Sequence, residues 1–242
     1  MLINIAAPGN LWVILIAVIA YILGSFPTAY CITKQMIGKD IRRAGSGNIG
    51  AMNAYRLIKI NKSTGMGIAG FVLALVGDVG KGVLSIFVAK WLSFLGYDLL
   101  LALIVSSVFV IIGHNYSFFF KGKGGGRGIS SLAGVVLALN PLALLLGLVT
   151  FLLTILVTEY AMGGRINWGK FSSVFSALGS QILGRVVGLA LALIPLYFFG
   201  PAVFLPALAA DIPVLIKHIE RIRAYIRQLP SRKQSAIKGV ER

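Results

Sequence analysis

Apolar residues run along this chain in blocks, and short polar segments rich in lysine, arginine and glycine separate them. Residues 11–33 and 129–158 carry no charged side chain, and residues 99–120 carry none beyond one histidine, His114. A helix needs about 20 apolar residues to cross the hydrocarbon of a bilayer, so these blocks predict spanning helices. A further block, about 65–95, is interrupted by Asp78 and Lys81. Residues 171–216 are apolar but broken by Arg185, Pro195, Gly200-Pro201, Pro206, Asp211 and Pro213. The pattern predicts an all-α, polytopic integral membrane protein.

Boundaries and parity follow. The first helix, about 11–33, contains Gly24-Ser25-Phe26-Pro27, where small residues allow close helix packing and Pro27 predicts a kink. It lacks the basic start of a cleavable signal, and the basic loop follows it, so the N-terminus is expected outside. The next helices are expected at about 65–95, 99–119 and 129–158, with a mixed-charge external loop at 159–170. A basic C-terminus belongs inside, so an odd number of further crossings is required. Seven helices satisfy this with three short ones in 171–216, and five would satisfy it with one long crossing plus re-entrant pieces. The whole reads as one transmembrane domain over 1–229, followed by a mobile basic tail at 230–242. From Lys217 to Arg227 the side chains Ile219, Ile222, Tyr225 and Ile226 share a face, predicting a basic amphipathic helix on the membrane surface.

Charge sharpens the picture. The formal net charge of +16 invites a nucleic-acid reading, but 18 of the 23 basic residues fall in three segments, 34–62, 121–127 and 217–242. That is the distribution of the positive-inside rule, so the partner is the bilayer rather than nucleic acid. The single cysteine, Cys31, forms no internal disulfide.

Two cytoplasmic loops carry candidate chemistry. The first, 34–62, contains Ser46-Gly47-Asn48-Ile49-Gly50-Ala51-Met52-Asn53 and then Arg56. Glycines let backbone N–H groups approach an anion; Ser46, Asn48 and Asn53 supply neutral hydrogen bonds, and Arg56 a fork suited to phosphate. The bland alternative is a solvated loop that only sets orientation. The second, 121–128, interleaves five glycines with Lys121, Lys123 and Arg127 after Gly113-His114-Asn115, forming a phosphate cradle that leads into a helix at Ile129. It lacks the Walker spacing, and a flexible basic linker is the alternative. Asp78 and Lys81 lie three apart on one helix face, and a membrane-depth pair of this kind either lines a polar cavity or locks helices together. His218 lies on the basic cytoplasmic face, where a structural histidine is the ordinary expectation.

A simple channel needs no such collection. One cysteine, two histidines and scattered acids do not make a metal site. No His-x-x-x-x-Asp occurs, since Phe119 stands five after His114 and Arg223 five after His218. No Ser-His-Asp set can be assigned by spacing. An enzyme built from these residues works by positioning and charge stabilisation rather than by a covalent nucleophile.

The string Gly45-Ser46-Gly47-Asn48-Ile49-Gly50-Ala51-Met52-Asn53 resembles the first cytoplasmic motif of the acyl-phosphate:glycerol-3-phosphate acyltransferases, the PlsY family. The likeness covers nearly the whole chain. Gly24-Ser25-Phe26-Pro27 is similar to a motif of the family's first helix, and Asp78-Val79-Gly80-Lys81-Gly82 to its Asp-x-x-Lys-Gly. Gly113-His114-Asn115 through Gly128 resembles its second motif, and Lys217-His218-Ile219-Glu220 its third. The resemblance implies seven helices in the inner membrane, a cytoplasmic active site, and transfer of an acyl group from acyl-phosphate to the sn-1 hydroxyl of glycerol-3-phosphate, giving lysophosphatidate. It implies no cofactor and no metal.

By the same resemblance, Ser46, Asn48 and Arg56 would lie in the substrate-binding first loop, with Asn53 beside them. His114, Lys123, Gly124, Gly125 and Gly126 would hold phosphate or the transferring group, with Arg127 next to them, and His218 would contact the acceptor. His114, Arg56 and Ser46 are the candidate catalytic residues. Three departures stand out. Lys123 is followed by three glycines and Arg127 where the family usually has Lys-Gly-Gly-Lys-Gly. Arg221 stands where an asparagine is usual, and Met52 where threonine is common. A related acyltransferase with another phosphorylated acceptor is therefore the second reading. A transporter or flippase using Asp78, Lys81, Arg185 and Asp211 is the third; the weak internal symmetry of many transporters is not apparent.

Overall fold

The computed structural model describes residues 11–94, 96, 98–164 and 182–228. Among these residues the chain is helical, without strands: α1 Leu11–Ser25, α2 Thr28–Ile37, α3 Ala51–Asn61, α4 Thr64–Ser93, α5 Leu99–Asn115, α6 Ile129–Leu139, α7 Pro141–Ala161, α8 Leu183–Tyr197 and α9 Pro201–Gln228. Short 3-10 turns occupy Ile41–Arg43 and Phe118–Phe120. Five stretches are long and apolar enough to cross a membrane: Leu11–Ile37, Thr64–Ser93, Leu99–Phe120, Pro141–Ala161 and Pro201–Glu220. The helices α6 and α8 are shorter and apolar. The fold class is that of a polytopic all-α membrane protein. The expected tail at 230–242 and residues 165–181 lie outside the described residues.

Several expected boundaries are corrected. Residues 129–158 are not one helix. Asn140 is extended (φ −160°, ψ 115°), and its side-chain oxygen accepts from the N–H groups of Leu142 and Ala143 at 2.9 and 3.0 Å. Pro141 then opens α7, where its missing N–H costs nothing. The two pieces run in opposite directions. α6 starts at Gly128, beside Ile111 and Val214, and ends beside α4, where Lys90 Nζ donates to the Ala138 carbonyl at 2.8 Å. α7 starts there, with Ala143 packed among Leu196 and Val203, and brings Ile155 back to the His114 end. The crossing expected beyond residue 171 is thus made by the Asn140 break, and residues 182–228 hold two helices. Residues 159–164 consequently lie at the His114 end, not at the opposite end as expected.

At Pro27 the first span breaks rather than kinks, and α2 continues to Ile37. Gly38, left-handed at φ 68°, closes it by donating its N–H to the Lys34 carbonyl. The segment 34–62 is only partly loop, because Ala51, Ala54, Tyr55, Leu57 and Ile58 give α3 a buried face. The surface helix expected from Lys217 is instead the last turns of α9, which runs through Pro206 and Pro213 without interruption. Neighbouring helices re-satisfy groups freed by proline in such bundles: Asn115 Nδ2 donates to the Pro213 carbonyl at 2.9 Å.

The bundle wraps α5, which packs on α1, α4, α6 and α9. Large side chains of α4 such as Val76, Leu84, Phe87 and Trp91 point outward, whereas Ser85, Ser106, Ser107 and Ser131 are buried. Lipid is as apolar as leucine, so close packing and interhelical hydrogen bonds hold such helices together. Ser106 Oγ, for example, donates to the Ser85 carbonyl of α4 at 2.7 Å. Glycines set the spacing at two contacts. A Cβ at Gly24 would overlap the Val110 carbonyl, and one at Gly113 the Tyr21 carbonyl, which presses α1 against α5. In the same reciprocal way a Cβ at Gly82 would overlap the Ser131 carbonyl, and one at Gly134 the Val79 carbonyl, which presses α4 against α6.

Gly82→Ala therefore lowers the unfolding midpoint in detergent, at a cost of about 1–3 kcal/mol or more. Gly80→Ala, on the same helix with nothing within 4 Å of the added methyl, does not. Equal midpoints for the two variants would refute the close α4–α6 contact.

Candidate active site

His114 closes the last turn of α5 and is 5% exposed. Its Nδ1 lies 3.1 Å from Ser131 Oγ of α6 and 3.8 Å from Asp78 Oδ1 of α4. The same Asp78 oxygen accepts from Lys81 Nζ at 2.7 Å. Three helices thus meet at one buried imidazole. The two alternatives for Asp78 and Lys81 merge here, because the pair is an internal salt bridge and Asp78 also lines a cavity. The α4–α6 glycine contact makes the meeting possible: Val79 and Gly82 touch α6 at Gly134 and Ser131, and Asp78 and Lys81 sit between them.

The glycine loop folds back over the ring. Gly126 donates its N–H to the His114 carbonyl at 2.8 Å, and a Cβ on Gly126 would overlap His114 Nε2. A Cβ on Gly125 would overlap the carbonyls of His114 and Asn115. The Ser117 N–H donates to the Gly124 carbonyl at 3.1 Å, and Ile49 N–H to the Gly125 carbonyl at 3.3 Å, which joins the first loop to the second. Ser117 Oγ donates to the Ser25 carbonyl at 2.5 Å, fixing the same corner to the end of α1.

Asn53 builds the first loop. It is buried on α3, and its Nδ2 donates to the carbonyls of Ile41, Ala44 and Asn48 at 3.3, 3.2 and 3.0 Å. Its Oδ1 accepts the Ser46 N–H at 3.1 Å. The amide is thus taken up by the loop itself, not turned to a ligand. Arg42 clamps the loop from outside. It pairs with Asp40 at 2.6 Å, and its guanidinium lies 4.5 Å from the Phe120 ring centre and 5.4 Å from that of Tyr30. The hydrogen bond from Arg42 holds the Asp40 carboxyl down at about 2. The pair's contribution is therefore present above the ordinary carboxylate range and is lost as pH falls through about 2.

Beside His114 lies a cavity of about 280 Å³. Asn48, Asp78, His114, Ser130, Arg127 and Arg185 give it a polar end, and Phe71, Leu75, Phe151, Leu152 and Ile155 an apolar wall. Gly128 is left-handed at φ 83°, so α6 begins with its first-turn N–H groups beside the cavity. A helix start next to an arginine is a ready anion site. Against the sequence-predicted set, Asn48, His114 and Arg127 come together in this cavity. Gly125 and Gly126 line a smaller space on the other side of His114, with Asp78 and Lys81. Arg56 lies one turn past Met52, which lines the cavity, on the same face of α3. Ser46 and Lys123 are exposed and Gly124 half-buried.

His218 is not brought to the cavity. It is fully buried in α9, with Nδ1 2.9 Å from the Val214 carbonyl, and the expected contact with the acceptor finds no support in that placement. Sequence reasoning missed Ser131, which carries no local signal. It noted Arg185 only as a membrane-depth charge, although a lone cation in the 171–216 run was the available clue. Among the described residues, no three His, Cys, Asp or Glu side chains gather as a metal-holding group.

Comparison with known proteins agrees with this geometry. The family model for glycerol-3-phosphate acyltransferase matches residues 14–228. A glycerol-3-phosphate acyltransferase of Clostridioides difficile (strain 630) is 34% identical over 177 residues, 73% of this chain and 82% of the relative. Glycerol-3-phosphate acyltransferase 2 of Bacillus anthracis is 31% identical over 210 residues, 87% of this chain and 93% of its own. In fold, the chain is similar to the crystal structure of PlsY, an integral membrane glycerol 3-phosphate acyltransferase, in its glycerol 3-phosphate form. That likeness has a TM-score of 0.65 at 23% identity, covering 89% of this chain and 92% of PlsY. The chain belongs to the glycerol-3-phosphate acyltransferase family.

Asn53→Ala strips four hydrogen bonds from the first loop and leaves carbonyls to be satisfied elsewhere, at a local cost of about 2 kcal/mol or more. Trypsin cleavage after Arg42 and Arg43 is expected to quicken by an order of magnitude or more. An unchanged cleavage rate would show that the loop does not depend on this amide.

Proposed function

From this family membership, we propose that the chain moves a fatty acyl group from acyl-phosphate to the sn-1 hydroxyl of glycerol-3-phosphate, giving lysophosphatidate and inorganic phosphate. The observation that carries the reading is one cavity with a cationic, hydrogen-bonding end and a hydrocarbon wall, meeting at His114. Both substrates bear a phosphate and one bears a long apolar chain, so a site for both must be amphiphilic in this way. The basic segments at the His114 end support a site facing the cytoplasm from the inner membrane.

The chemistry asks little of the protein beyond placement. The sn-1 oxygen forms a bond to the acyl carbonyl carbon, the bond from that carbon to the phosphate oxygen breaks, and the electron pair leaves with phosphate. The hydroxyl proton passes to the departing phosphate. Arg127 and the start of α6 hold the donor phosphate and stabilise charge developing on it. Asn48 and Arg56, at the mouth, take the acceptor. His114, fixed by Ser131 and Asp78, presents its ring to the reacting centre, and the Phe151 wall holds the chain. Fixing two substrates in attack geometry is itself a large part of such a rate enhancement.

Purified protein given an acyl-phosphate and labelled glycerol-3-phosphate is expected to form labelled lysophosphatidate. No product with that donor, nor with acyl-CoA or acyl-carrier protein, would sink the reading; product from another donor alone would move the donor assignment. His114→Ala is expected to lower kcat/KM by about 10²–10⁴-fold. Arg56→Ala raises KM for glycerol-3-phosphate in a protein that remains folded and monodisperse. Full activity in either variant removes that residue from the site.

A further inference from the structure

A second cavity, of about 80 Å³, lies between α6, α7, α8 and α9. Leu132, Val136, Gly147, Leu193 and Phe151 are among its walls, and the one charged-type residue on them is Asp211 of α9. Asp211 is 1% exposed, and neither carboxyl oxygen has a hydrogen-bond partner among the described residues. A buried polar group without a partner costs about 1–3 kcal/mol, so its presence in a hydrocarbon-walled space calls for an occupant that meets it. The cavity is not isolated. Ile129 and Phe151 line both it and the larger cavity beside His114.

We propose that this cavity receives the front of the donor's acyl chain and that Asp211 recognises a hydroxyl on it, making the preferred donor a hydroxylated fatty acyl phosphate. The inference rests on the acyl-transfer reading above and names its substrate class. A plain alkyl chain would fill the apolar walls and leave the carboxyl unmet. A hydroxyl suits a carboxyl in either protonation state, since it donates to a carboxylate and exchanges two bonds with the acid. The height of Asp211 sets where on the chain that hydroxyl lies. Val214 touches Gly128 at the larger cavity, and Asp211 stands three residues before Val214, about one helical turn or 5 Å deeper. The hydroxyl therefore lies within the first few carbons from the carbonyl.

The test compares hexadecanoyl phosphate with 3-hydroxyhexadecanoyl phosphate as donors to glycerol-3-phosphate, in the wild type and in Asp211→Leu. The wild type is expected to favour the hydroxylated donor by about tenfold in kcat/KM, the effect of one net hydrogen bond. In Asp211→Leu the ratio is expected to fall to about one or below. A wild-type ratio of one or less, or a ratio that the variant leaves unchanged, overturns the inference while the acyl-transfer reading stands. Turnover of neither donor overturns that reading, and the cavity is then decided by binding alone. There, 3-hydroxyhexadecanoic acid should raise the wild-type unfolding midpoint more than hexadecanoic acid does, and equal shifts overturn the inference. Should the leucine variant not fold, Asp211→Asn reads the same ratios, with a value between those of wild type and one expected.

Discussion

The distance between α4 and α6 is the constraint on which the rest of this structure depends. In lipid, little favours two apolar helices lying together rather than each facing acyl chains. What remains is contact area, and backbones can meet only where side chains are missing. Gly82 and Gly134 provide this reciprocally, each opposite a carbonyl of the other helix. Asp78 and Lys81 flank the touching residues of α4, and Ser131 is the residue that Gly82 touches, so the helix contact and the His114 cluster are one object. A wider spacing would separate Ser131 and Asp78 from His114 together.

That arrangement also places costly groups where they can be kept. An acid, a lysine and a histidine at membrane depth are tolerated when they face one another or a polar space. Here the lysine neutralises the acid at 2.7 Å, and the acid and a serine bracket the imidazole. The loops close the same corner with backbone rather than with charge. Ile49 donates to Gly125, Gly126 donates to His114, and Ser117 reaches Ser25. These bonds tie the first loop, the second loop and the break after α1 into one lid over the ring, while the exposed lysines of the second loop remain outside it.

Much of the fold was legible because lipid imposes a length and a composition on each crossing. The blocks at 65–95 and 99–119 fell close to α4 and α5 for that reason. The failures occurred where one residue overrides a run. Asn140 with Pro141 ends one helix and starts another within an unbroken apolar block, and hydropathy does not register a turn without a polar gap. Conversely, Pro206 and Pro213 suggested breaks that α9 does not make, because neighbouring helices satisfy the groups that proline frees. In the candidate site, charged and glycine-rich positions were readable and partners in space were not. Ser131 is one serine among several in an apolar stretch, and only the fold sets it against His114. Asn53 looked like a ligand because its chemistry suits one, yet the same chemistry suits three carbonyls of its own loop.

The second loop departs from the usual family pattern by one additional glycine and by Arg127 in place of lysine, and its backbone explains how both fit. None of the three consecutive glycines is slack: the carbonyl of Gly124 receives Ser117, that of Gly125 receives Ile49, and the N–H of Gly126 is spent on His114. Because a Cβ at either of the last two would overlap the end of α5, this run must be glycine if the loop is to lie flat on the histidine. Lying flat uses up chain length, and the next residue able to reach the cavity is number 127, immediately before the left-handed turn into α6. A cation there works with the helix start rather than apart from it. Arginine's planar fork can grip two oxygens of one phosphate while the first-turn N–H groups take another. The extra glycine and the arginine are thus coupled, since the first moves the cation to the helix terminus and the second suits it to sharing an anion there.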